Sequence, residues 1–252
     1  MIPFEKVLFG IPINVHLILE YLAFFLGFRY YLILRKRQGD TITTNNRLSI
    51  IIGAVFGALF LSRVVGFLEE PNFHSQQGWV ALLNNKTIMG GLFGGLLGVE
   101  LAKKVIGEKQ SSGDLFTLPI ILGIMIGRVG CFLAGTTEFT YGKETAFFMG
   151  MDLGDGLLRH PIALYEILFL FFLFHLFKRK WKKDNHLKNG LLFQWFMISY
   201  FGFRFFIEFL KPNTFLIFGL SSIQYLCLIC WCYYYKTIAK ALANAGKKLH
   251  LL

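Results

Sequence analysis

Residues 16–34 read HLILEYLAFFLGFRYYLIL, and the next three are Arg35, Lys36 and Arg37. Nineteen mostly apolar residues wound as a helix nearly match the roughly 30 Å hydrocarbon core of a bilayer. The basic triplet that follows is the mark of a span ending on the cytoplasmic side. Six further stretches have the same character: roughly 48–68, 88–106, 115–135, 161–177, 191–210 and 215–235. The sequence thus predicts an all-α membrane protein with seven transmembrane helices, built as one polytopic domain over residues 1–252. The third stretch carries Gly90, Gly91, Gly94, Gly95 and Gly98, which allow close helix packing or a local break. Pro161 suits the first turn of the fifth.

Composition agrees. The 252 residues are 55% hydrophobic and 16% charged, with 29 phenylalanines and 6 prolines. Soluble domains have about 45–50% apolar and about 25% charged residues, and disordered chains have fewer apolar ones still. The net charge is nevertheless +11. Seventeen of the 26 basic residues fall on alternate loops: Arg35 to Arg47, Lys103 to Lys109, Lys178 to Lys188, and Lys236 to Lys248. The opposite loops hold five, Lys6, Lys86, Lys143, Arg159 and Lys211, beside Glu69, Glu70, Glu138, Glu144, Asp152 and Asp155. This asymmetry predicts the N-terminus outside, the C-terminus in the cytoplasm, and the odd number of spans that requires. Residues 1–15, with Pro3, Gly10 and Pro12, suit an interfacial arm outside the membrane, and no removable signal peptide is expected. The basic 178–190 link reads as a loop touching anionic membrane lipids rather than nucleic acid.

Cys131, Cys227, Cys230 and Cys232 all fall within spans. Cys227 and Cys230 form a C-x-x-C without the further ligands of a metal site, so no metal is expected.

Four arginines remain, Arg29, Arg63, Arg128 and Arg204, all inside spans, with Glu20, Glu100, Glu166 and Glu208 as acidic counterparts. An arginine at mid-bilayer costs about 2.5–3.5 kcal/mol on insertion scales, so each needs a partner, a cavity or a route to the interface. Arg29 lies near a cytoplasmic end and can snorkel. Glu100 has Lys103 and Lys104 nearby, and Arg63 suits either a pair or a cavity. Arg128 stands between Gly127 and Gly130, late in the fourth span and near the outer face by this topology. The donor fork of arginine matches a phosphate bidentately. Arg204, at similar depth, stands four residues before Glu208. Two readings stay open for it, a local ion pair or part of a phospholipid headgroup site. A third cluster runs from Arg159 through His160 and Pro161 to Tyr165 and Glu166. His160 suits a base or a structural bond, and Glu166 suits holding an arginine or moving a proton.

Together these clusters resemble the bacterial prolipoprotein diacylglyceryl transferase family, whose motifs are G-R-x-G-N-F, H-P-x-Q-L-Y-E and Y-G-x-x-R-F-x-x-E. Here they read Gly127-Arg128-Val129-Gly130-Cys131-Phe132, His160-Pro161-Ile162-Ala163-Leu164-Tyr165-Glu166, and Tyr200 through Glu208. The resemblance covers most of the chain and is strongest from about 86 to 211.

It implies transfer of the diacylglyceryl group of phosphatidylglycerol to the lipobox cysteine thiol of a prolipoprotein, with release of glycerol 1-phosphate. The partners implied are phosphatidylglycerol and the lipobox peptide, in the bacterial cytoplasmic (inner) membrane, with no cofactor. By motif position, Arg128 and Arg204 would bind and stabilise the phosphate. Glu138 and Gly142 would correspond to the family's acidic residue and loop glycine. Tyr200 and Glu208 would orient Arg204, while His160, Tyr165, Glu166, Gly90 and Gly91 would support the site. Four positions depart from the pattern: Met89 replaces a histidine before Gly-Gly, Cys131 an asparagine, Ala163 a glutamine and Lys211 an arginine. Met89 cannot act as a base, and Lys86, His160 and Glu138 are candidates to take over that role. A divergent transferase with another acceptor, or a non-catalytic lipid-binding or transport protein, would share the same arginines. A solute transporter fits less well, because the chain shows no inverted repeat.

Overall fold

In a computed structural model, the chain is described over residues 2–4, 6–8, 11–38, 40, 42–69, 85–183, 190–213 and 216–249. Most of the acidic 69–87 segment and Lys188 of the basic link lie outside these residues. Helices dominate: α1 (Val15–Gln38), α2 (Thr44–Glu69), α3 (Ile88–Ile106), α4 (Asp114–Ala134), α5 (Ile162–Lys183), α6 (Leu191–Ile207), α7 (Ser222–Tyr233) and α8 (Tyr235–Leu249). Three of them are long and apolar enough to cross a membrane, over Val15–Arg37, Thr44–Glu69 and Asp114–Thr137. Phenylalanines 24, 56 and 60 on the first two are each more than two-thirds exposed, as lipid-facing side chains are.

The chain divides into two compact units: Met1–Thr41, Ser111–Phe196 and Phe209–Pro212 form the first, and Ile42–Gln110, Met197–Glu208 and Asn213–Leu252 the second.

In the first unit α1 packs along α4, and α4 packs along α5. Tyr31 stacks on Phe116 with ring centroids 4.4 Å apart. Before α1, β1 (Lys6–Leu8) pairs antiparallel with β2 (Ile11–Ile13), so part of the amino-terminal arm is paired strand. The Phe4 amide donates to the Leu133 carbonyl at 2.8 Å, fixing the arm to the end of α4. The start of α6 is held by Asp114, whose carboxylate accepts from the amides of Gly190 at 2.9 Å and Phe193 at 3.1 Å. A carboxylate there satisfies amides that the helix itself leaves unbonded.

In the second unit α2 and α3 pack glycine to glycine. A Cβ on Gly57 would collide with the Gly94 carbonyl, and one on Gly98 with the Gly53 carbonyl. Small residues four apart on both helices let the backbones meet, the usual route to helix association in lipid. Thr87 caps α3 by accepting from the Gly90 amide at 3.1 Å. The Ser62 hydroxyl donates to the Thr87 carbonyl at 2.8 Å, so the start of α3 is pinned to α2. At the other end Gly107 terminates α3 with φ +71°. The Glu108 carboxylate next to it accepts from the Gln110 amide and the Asn46 side chain, which hold its pKa below the usual carboxylate range.

The last apolar stretch, expected over 215–235, is divided. Residues 217–220 form a turn, and Ser221 with Gln224 makes a reciprocal capping box that delays the helix to Ser222. Twelve residues of helix rise only about 18 Å. Beyond a break at Tyr234, α8 carries Lys236, Lys240, Lys247 and Lys248.

Candidate functional site

The sequence between α4 and α5 builds the site of the first unit. Gly135, with φ +58°, ends α4 where a side chain would strike the Leu153 carbonyl. The chain then folds into a loop stitched by β3 (Met151–Asp152) and β4 (Leu158–Arg159). Lys143 ties this loop to residues after α6, its amide donating to Leu210 at 2.7 Å and its Nζ to the Phe209 carbonyl at 3.0 Å.

Arg128, on the last turns of α4, is 7% exposed, and Glu166 on α5 is fully buried. Arg128 Nε lies 2.7 Å from Glu166 Oε1. This ion pair fixes the plane of the guanidinium and neutralises two charges that would be costly apart. Of the two roles open to Glu166, holding an arginine is the one the geometry displays.

On the other side of the guanidinium, Nη1 approaches Cys131 Sγ at 3.6 Å. The same sulfur lies 3.8 Å from Nε2 of His16, at the start of α1. His16 Nδ1 in turn lies 3.0 Å from Glu138 Oε1. Glu138, His16, Cys131, Arg128 and Glu166 therefore form one continuous polar chain across three helices and a loop. Three of its members, Arg128, Glu138 and Glu166, were expected. His16 was missed, because a lone histidine at the edge of an apolar run belongs to none of the three motifs. The one signal was its position as the first residue of a predicted span.

Gly130 makes the arrangement possible. A Cβ there would lie 2.9 Å from His16 Cδ2 and 3.3 Å from its Cα, so only glycine lets α1 approach α4 so closely. Gly142 serves a similar end: a Cβ would meet His160 Cβ at 2.5 Å. Its amide donates to the His160 carbonyl at 3.0 Å.

His160 is bonded through Nδ1 to the Tyr165 hydroxyl at 3.2 Å. Beside it, Arg159 is paired with Asp155 at 2.7 Å and lies over the Tyr141 ring at 5.1 Å. Two departures from the motifs meet here. Cys131 and Ala163 line the same small cavity with Tyr141, Pro161 and Ile162, so two shortened side chains share one space. Lys211 lies over the Phe139 ring at 5.0 Å, next to Glu138 in sequence.

The second unit holds the other expected residues. Arg204 Nη2 lies 3.1 Å from Glu208 Oε2, both almost wholly buried, which is the ion pair their spacing allows. Tyr200, one turn before Arg204, is fully buried. Met89 is buried as well, with 1% exposed. Gly90 would place a Cβ 2.6 Å from the Leu61 carbonyl, whereas Gly91 would make only ordinary contact at 3.9 Å. Glu100 and Lys103 lie 4.0 Å apart. Among the described residues no group of three His, Cys, Asp or Glu side chains is arranged to hold a metal ion.

Three long apolar helices and two buried arginine–glutamate pairs define a helical membrane protein with ionisable groups set within its helices. Residues 6–238 match the model of one family, described as prolipoprotein diacylglyceryl transferase, and the chain belongs to that family of transferases. It is 30% identical over 227 residues to the phosphatidylglycerol–prolipoprotein diacylglyceryl transferase of Finegoldia magna, covering 86% of each chain. Proteins of the same name from Wolbachia pipientis (27% over 206 residues, 73% of this chain and 70% of the relative) and Oleidesulfovibrio alaskensis (30% over 205 residues, 76% and 72%) are also similar.

Proposed function

We propose that this enzyme transfers the sn-1,2-diacylglyceryl group of phosphatidylglycerol to the lipobox cysteine thiol of a prolipoprotein and releases glycerol 1-phosphate. The observation that carries this reading is the Arg128–Glu166 pair: a buried guanidinium, oriented by a buried carboxylate, beside a half-open polar chain.

The thiolate sulfur attacks the glyceryl methylene carbon, and the C–O bond to phosphate breaks as the C–S bond forms. The phosphate gains negative charge in that step, so donors fixed in place beforehand stabilise the transition state more than the ground state. Arg128 supplies such donors in the first unit. Arg204, held by Glu208 with Tyr200 a turn away in the second unit, is assigned a phosphate-binding role by its motif. The acceptor brings its own nucleophile, so no covalent enzyme intermediate is required, and the roles described use no metal or cofactor.

Membrane topology follows the charge pattern: seven spans in the bacterial cytoplasmic membrane, with the N-terminus outside and the C-terminus in the cytoplasm. The site loop, 135–161, then lies on the outer side, where exported prolipoproteins present their lipobox.

A second reading, phospholipid binding without transfer, or transfer to another acceptor, is favoured by one observation. Met89, where the family has histidine, is buried and cannot move a proton. The test uses membranes containing the protein, phosphatidylglycerol and a synthetic lipobox peptide. A peptide mass increased by one diacylglyceryl group, absent with Arg128→Ala at equal protein level, is the expected result. Saturable phosphatidylglycerol binding with no adduct would select the second reading.

A further inference from the structure

His16 is not part of any motif that led to the family, yet it links Glu138 to Cys131 in the polar chain of the first unit. Glu138 accepts from Nδ1–H at 3.0 Å, which leaves the lone pair on Nε2. That nitrogen faces Cys131 Sγ at 3.8 Å, and the same sulfur meets Arg128 Nη1 at 3.6 Å. A carboxylate orienting an imidazole, with a sulfur and a cation beyond its free nitrogen, is the arrangement that activates a thiol. The sulfur here belongs to the protein itself and shows where a thiol sits well between base and guanidinium.

Cys131 is unsuited to carry the diacylglyceryl group. Its attack would produce a thioether, and a second thiol does not displace an alkyl thiolate from such a carbon. The group would be trapped. The thiol to be activated is therefore the acceptor's. Access favours this too: the His16 and Glu138 side chains are 18% and 42% exposed, whereas those of Arg128 and Glu166 are 9% and 0%. Of the alternatives, Glu138 is engaged with His16, and His160 is bonded through Nδ1 to a neutral hydroxyl, that of Tyr165, rather than to a carboxylate that would orient it as a base.

We propose that His16, positioned by Glu138, is the base that takes the proton of the acceptor thiol, in the role that Met89 cannot fill. The proposal rests on the transfer reaction above. Nε2 accepts the S–H proton, the resulting thiolate forms the C–S bond, and the electron pair of the broken C–O bond leaves on glycerol 1-phosphate. The imidazolium then releases its proton to water, and the neutral base is restored.

The test compares wild type, His16→Gln and Glu138→Gln in the intact protein, with phosphatidylglycerol and either a cysteine or a selenocysteine lipobox peptide. A selenol is ionised at neutral pH and needs no base. With the cysteine peptide at pH 7, His16→Gln is expected to lose about 10²–10⁴-fold in rate. The loss shrinks as pH rises past the free thiol pKa of about 8.5, and with the selenocysteine peptide the variant approaches wild type. Glu138→Gln leaves the imidazole without the carboxylate that orients it and is expected to lose rate toward the cysteine peptide, with recovery toward the selenocysteine peptide. Wild-type rates for His16→Gln at pH 7, or an equal loss toward both peptides at every pH, overturn the base assignment while leaving transfer intact. A wild type that modifies neither peptide overturns the transfer reading, and the base assignment falls with it.

Discussion

Gly130 and His16 meet where α1 crosses the end of α4, and a single methyl group on Gly130 would lie 2.9 Å from the imidazole. Glycine normally weakens a helix by about 1 kcal/mol relative to alanine, so its presence here has a packing reason. Gly130→Ala is expected to displace His16 and lower transfer at least tenfold. Gly127→Ala, at a position whose added Cβ meets nothing within 4 Å, is the control and is expected to keep most of the activity. Rates with the lipobox peptide, normalised to protein in the membrane, decide between them.

The Arg128–Glu166 pair predicts asymmetric mutational effects. Glu166→Ala leaves a buried guanidinium uncompensated, a change that costs about 3–5 kcal/mol in comparable pairs. Its melting temperature in detergent should fall sharply. Arg128→Lys keeps the charge but loses the planar fork, so its stability should fall less while transfer falls at least tenfold. Equal transfer by Arg128→Lys would show that the fork geometry plays no part.

The α2–α3 contact has no room for side chains at Gly57 and Gly94. Gly57→Leu or Gly94→Leu should destabilise the second unit strongly, seen as a lower melting temperature or lost expression. Gly91→Ala, where the added Cβ makes only ordinary contact, should melt within a few degrees of wild type.

Met89→His restores the residue type of the family at a position that is 1% exposed. With His16 already serving the thiol proton, this substitution should change the transfer rate by no more than a few-fold. A large gain would mean that the wild-type chain lacks a working base.

The helical fold was legible because burial in lipid and burial in protein demand the same apolar runs. The expected third span, 88–106, coincides with α3, where Thr87 and Gly107 mark both ends in sequence. The last stretch was not legible from hydropathy. Its division depends on the capping box of Ser221 and Gln224, a local hydrogen-bond pattern that interrupts an apolar run without changing its composition. The amino-terminal strand pair was hidden for a related reason, since three-residue strands carry too few side chains to show alternation.

Among the candidate residues, Arg128, Glu166, Arg204 and Glu208 stood out because a charge in an apolar span must be answered by another. Spacing offered the Arg204–Glu208 pair as one of two readings, and the structure shows the pair. The Arg128–Glu166 pair needed the packing of α4 on α5, which no local spacing encodes. His16 was invisible for the same reason: it lies 122 residues from Glu138 and 115 from Cys131. The role of Gly130 was only partly legible, because the sequence shows a glycine but not the helix that approaches it.

The most direct measurement of the central claim is made on the purified protein, given phosphatidylglycerol and a lipobox peptide, with both products followed together. One diacylglyceryl thioether formed on the peptide cysteine for each glycerol 1-phosphate released, with neither appearing when Arg128 is replaced by alanine, is the predicted result. An unmodified peptide with no glycerol 1-phosphate, from folded protein that still binds phosphatidylglycerol, would contradict it.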